Sequence, residues 1–84
     1  MPANIRQIGE FLESPAWTPA EKWVIKWQYR LLGDFHTALF DAIKRADEEN
    51  LERLRLGFPE QLSGFLAWNR GTLGKRLREA GLEI

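Results

Sequence analysis

Apolar residues recur at spacings of three and four along the whole of this chain, and nowhere do they alternate as on a half-buried strand. Glycine and proline fall between the periodic stretches, with Gly9 and Gly64 the exceptions. This pattern predicts an all-α chain of five or six short helices. Helices this short are not stable alone, so mutual packing must hold them. Their short connections predict a compact bundle of crossing helices rather than a coiled coil.

The first helix is expected from about Ile5 to Glu13, with Asn4 as N-cap and Ile5, Ile8, Phe11 and Leu12 on one face. Ser14-Pro15 ends it, because the residue before proline disfavours the α region. Thr18-Pro19-Ala20-Glu21 is a capping box with proline at the first helical position, and it opens the second helix. That helix is expected to reach about Leu32 and end on a left-handed Gly33. Its buried stripe would be Ala20, Trp23, Val24, Trp27 and Leu31. A third helix is expected over about Asp34–Asp47, with Phe35, Ala38, Leu39, Ala42, Ile43 and Ala46 inward. Its alanines imply close approach to a neighbour. A fourth, from about Glu48 to Leu56, turns Leu51 and Leu54 inward. Because Ala46–Asn50 holds no strong breaker, whether the third and fourth are one helix stays open. Gly57-Phe58-Pro59 is a definite break. The fifth helix runs from Pro59 to about Asn69 with Leu62, Phe65 and Leu66 inward, and Gly64 there permits close packing. Arg70-Gly71 closes it. Thr72 is expected to cap a last helix carrying Leu73, Leu77 and Ala80. Gly81-Leu82 has the form of a Schellman stop.

With 84 residues the chain makes one domain, residues 1–84. It has no cysteine, so disulfides and cysteine-based zinc or redox sites are excluded. Twelve Lys and Arg balance twelve Asp and Glu, which counts against a free-standing nucleic-acid binder. No stretch approaches the roughly 20 apolar residues that span a bilayer. Residues 1–10 lack the basic and apolar regions of a secretion signal, so a cytoplasmic location is expected.

No constellation for catalysis stands out: there is no glycine-rich phosphate loop, no metalloprotease motif and no nucleophile elbow. A non-enzymatic protein without metal or cofactor is expected. Asp47, Glu48, Glu49 and Glu52 lack calcium-loop spacing and read as a solvated helix start. Function then falls to the surface. Trp23 and Trp27 belong with the core, and Trp17 with the Pro15–Pro19 corner. Phe40, Leu56, Trp68 and Ile25 lie off their helices' main stripes. Of these, Phe40, Leu56 and Trp68, with His36 on the flank beside Phe40, are the candidate protein-binding residues. The competing reading of the same residues is a wide core. A second function class, a small nucleic-acid-associated regulator, would use two basic sets: Lys22, Lys26 and Arg30, four apart on one helix face, and Arg70, Lys75, Arg76 and Arg78 near the end. A third, a structural homo-oligomer, would bury the off-stripe residues across a two-fold axis.

The run Ala46-Asp47-Glu48-Glu49-Asn50-Leu51-Glu52-Arg53-Leu54, with Gly57-Phe58-Pro59-Glu60 after it and Gly33-Asp34-Phe35, Leu39-Phe40 and Ile43 before it, resembles short uncharacterised accessory proteins encoded by bacteriophages and prophages. The resemblance covers about residues 33–84. It carries no catalytic or ligand-binding residue onto this chain. It implies a partner: a host bacterial protein or protein complex that the chain inhibits or modulates in the host cytoplasm, as anti-CRISPR and other anti-defence proteins do. Apart from the resemblance, either a monomer or a homodimer is expected.

Overall fold

The computed structural model describes residues 5–84, with side chains from Arg6 onward. The expected Asn4 cap and the Ile5 side chain lie outside them. Six helices follow in order: α1 (Ile5–Glu13), α2 (Pro19–Gln28), α3 (Asp34–Arg45), α4 (Glu48–Gly57), α5 (Pro59–Asn69) and α6 (Thr72–Glu79). They pack into the compact all-α bundle that the periodicity predicts.

Two of the predicted helix ends form as the local sequence dictates. At the start of α2 the Glu21 N–H donates to Thr18 Oγ1 at 3.2 Å, and the Thr18 N–H donates to Glu21 Oε1 at 2.8 Å. After α6, Gly81 takes a φ of 102°, the Leu82 N–H donates to the Leu77 carbonyl and the Gly81 N–H to the Arg78 carbonyl. This is the full Schellman pattern, and its apolar partners Leu77 and Leu82 are both buried.

Other boundaries move. α2 ends at Gln28, and the left-handed residue is Arg30, φ 57°, rather than Gly33. The Leu31 N–H reaches the Lys26 carbonyl at 2.8 Å and the Arg30 N–H reaches Trp27 at 3.1 Å, so the same pattern closes three residues early. Leu31 thereby leaves the helix and is 52% exposed instead of buried. Gly33 is extended and precedes α3. α3 and α4 are separate helices. Ala46 is extended, and the Asp47 carboxylate accepts from the Asn50 N–H at 2.9 Å as the cap of α4. Thr72 does not cap α6; its hydroxyl donates back to the Ala67 carbonyl of α5.

α5 lies centrally, packed on α2, α3, α4 and α6, while α1 leans on α2. Gly64 sets the α2–α5 distance: a Cβ built there would lie 2.3 Å from the Ala20 carbonyl oxygen and 2.9 Å from Val24 Cγ2. The core is Ile8, Val24, Ile25, Leu39, Phe40, Ile43, Leu62, Phe65, Leu73, Leu77 and Leu82. Ile25 and Phe40, placed off-stripe from sequence, are at its centre. α3 is rotated by about one residue from the expected stripe: Leu39, Phe40 and Ile43 face in, Ala38 and Ala42 face solvent, and Phe35 is exposed. Each face carries one phenylalanine, and the contact of Phe40 with Trp27 of α2 selects the face that turns inward.

Candidate protein-binding surface

The rotation of α3 removes one expected surface residue and supplies another. Phe40 is fully buried, its ring stacked on Trp27 with centroids 5.0 Å apart. It is a core residue and offers nothing to a partner. Phe35 comes out in its place, 63% exposed.

Around Phe35 the rings form a row. His36 is half-buried and stacks on Trp23 at 4.4 Å, the two planes 21° apart. Phe35 meets His36 edge-on at 5.2 Å and reaches Phe58 at 5.9 Å. Lys26 Nζ sits 5.1 Å from the Trp23 ring centroid. The row thus runs Lys26, Trp23, His36, Phe35, Phe58, and crosses from α2 over α3 to the corner between α4 and α5. Leu56, two residues before Phe58, is 87% exposed. Trp23, expected in the core, is half-buried here, with one face on His36. Phe35 and Phe58 are the members that sequence reasoning missed. Phe35 was hidden by the wrong α3 face, and Phe58 by its place inside a turn signal.

Trp68 lies elsewhere. It is half-buried and lines a cavity with Trp27, Phe65, Gln28, Asn69, Arg30 and Lys44. One ring edge packs over Gly74 of α6, where a Cβ would come within 3.4 Å.

The structure divides the two basic sets. Arg30 is past the end of α2 in a left-handed conformation, so it no longer continues the helical row of Lys22 and Lys26. Lys26 is engaged with Trp23. Arg76 pairs with Glu21 at 2.5 Å and lies 5.2 Å from the Trp17 ring centroid. Arg78 reaches over Gly74. Arg70 lies across Gly71 in a separate groove with Arg55, Pro59 and Ser63. All four of Arg70, Lys75, Arg76 and Arg78 are exposed. Trp17, expected across the proline corner, stacks on Phe11 with ring centroids 5.7 Å apart.

Glu21 is the most constrained carboxylate. Burial opposes its charge, but the Thr18 N–H and the Arg76 guanidinium outweigh that and hold its carboxyl below the ordinary range. Burial and the Glu83 charge raise the Tyr29 phenol, which donates to the Glu83 carbonyl. Among the described residues no three His, Cys, Asp or Glu side chains converge as a metal site, and no helix is long and apolar enough to cross a membrane.

Comparison with protein families, with curated proteins and with solved structures returns no match for this chain.

Proposed function

We propose that the protein is a non-enzymatic protein-binding module whose docking surface is the row Trp23, His36, Phe35 and Phe58, with the exposed Leu56 of α4 as a further apolar contact. The observation that carries this reading is the exposure of Leu56, 87%, and Phe35, 63%; among the described residues the other large apolar side chains, Leu31 apart, are at least half-buried. Large apolar groups beside aromatic rings are the usual centre of an interface, and leaving them in water favours a partner that covers them. Lys26 at one end adds a cation for an acidic rim on that partner.

The narrower reading is an inhibitor or modulator of a host bacterial complex, working in the cytoplasm. It draws on the resemblance of residues 33–84 to phage and prophage accessory proteins. The test is a pull-down from bacterial lysate with wild type and with a Leu56→Asp/Phe35→Ala variant in parallel. Both side chains are exposed, so the variant keeps its helical circular dichroism. A partner retained by wild type and lost from the variant supports the reading; a partner retained equally by both overturns this surface. Light scattering over a range of concentrations separates the homodimer reading: association that Leu56→Asp abolishes makes the second copy the partner.

A further inference from the structure

The ends of α2, α3 and α5 line an open cleft of about 450 Å³ that the aromatic row does not use. Its walls include three aromatic side chains, Trp27, Phe65 and Trp68. Two cations, Arg30 and Lys44, and two amides, Gln28 and Asn69, complete the lining, and no carboxylate is among them. Neither cation is held in an ion pair with the described residues.

Arg30 adds an independent observation. It sits where a helix stop takes glycine, in the left-handed region at φ 57°. A side chain there costs backbone energy, and such strain concentrates where a site needs a particular group. Here the strained residue is one of the two cations lining the cavity.

We propose that this cavity binds a nucleotide, taken either free or as one unit of a single strand. The lining chemistry fits that class. A planar base gains from stacking on an indole, as on the platforms of single-strand-binding proteins. The phosphate suits a guanidinium and an ammonium that have no ion-pair partner among the described residues. The two amides each offer a donor and an acceptor to a base edge. The volume falls in the ordinary range for small-ligand sites, about 300–1,000 Å³. A zero net charge over the whole chain does not oppose this, because the cavity lining is locally cationic. The site is separate from the proposed protein-binding row, so either can fail without the other.

The experiment is an NMR titration of the tryptophan indole N–H signals at low salt, with the Trp68 signal assigned from a Trp68→Phe variant. The probes are adenosine monophosphate, a short oligo(dA), inorganic phosphate, and an acidic peptide containing one phenylalanine. The expected result is a saturable shift of the Trp68 signal with the mononucleotide, absent with phosphate alone. An Arg30→Gly/Lys44→Ala variant should weaken it about tenfold or more, while Leu56→Asp leaves it unchanged. Oligonucleotide affinity well above that of the mononucleotide, and falling with salt, identifies a strand; equal affinities identify the free nucleotide. The proposal is overturned if neither nucleotide probe moves the Trp68 signal at millimolar concentration, if the double variant responds like wild type, or if the peptide binds there and the nucleotides do not. Arg30→Gly suits its φ and Lys44 is exposed, so the double variant folds.

Discussion

Arg30 and Phe40 mark the limits of reading this chain residue by residue. A left-handed arginine carries no sequence signal, because the pattern that announces a helix stop is a glycine, and Gly33 offers one three residues later. The backbone stops at Arg30 regardless, since doing so satisfies the Lys26 and Trp27 carbonyls. Arg30→Gly relieves the Cβ penalty while adding some unfolded-state entropy, and should raise stability by about 0.5 kcal/mol. Urea unfolding checks this; a lower midpoint would mean that the arginine stem contributes more through packing than its backbone costs. If the cavity binds a nucleotide, the stabilised variant is also the weaker binder, a trade seen where a site needs a strained group. Phe40 shows a different limit. Two stripes on α3 share helical periodicity, and choosing between them requires knowing which side chains α2 and α5 present. Only the assembled core, with Trp27 against Phe40, decides it.

At the scale of elements, legibility follows locality. The start of α2 and the stop after α6 were readable because Thr18, Glu21 and Gly81 act on neighbours within a few residues. The α3–α4 break was not, although its cap Asp47 is visible in sequence, because Ala46–Asn50 is equally compatible with a continuing helix. The two helix-interior glycines show how packing overrides propensity. Gly9 has open space where a Cβ would go, so Gly9→Ala should stabilise α1 by about 0.5–1 kcal/mol. Gly64 faces the Ala20 carbonyl, and backbone cannot yield as a side-chain tip does. Gly64→Ala should destabilise by about 1–3 kcal/mol despite better helix propensity. Denaturant midpoints that move the same way for both would refute the account of the α2–α5 contact.

Across the whole molecule, the links that close the bundle join residues far apart in sequence. Arg76 of α6 meets Glu21 of α2, Tyr29 donates to the carbonyl of Glu83, and the Gln7 amide donates to the Gly81 carbonyl at 2.9 Å. The first of these gives a pH dependence. The folded pKa of Glu21 lies below its unfolded value, so its contribution is complete at neutral pH and is lost as pH falls through the acid range below about 4. Between about pH 6 and pH 3, wild type should therefore lose more stability than Glu21→Gln, measured by urea unfolding at both values. Equal losses would mean that other carboxylates carry the acid sensitivity. The aromatic row has the same long-range origin. Its members come from α2, α3 and the α4–α5 corner, so sequence could name His36 but not the Phe35 and Phe58 that continue the row from it. The Gln7–Gly81 bond brings the first helix beside the last turn, two sites 74 positions apart in sequence. The chain is in effect a ring with one gap. A rearranged gene that joins Ile84 to the start of α1 through a short flexible linker, and opens the exposed turn between Ala46 and Asp47, leaves every helix and the Asp47 cap intact. Such a circular permutant should fold to the same bundle, and it would move both chain ends to the α3–α4 turn.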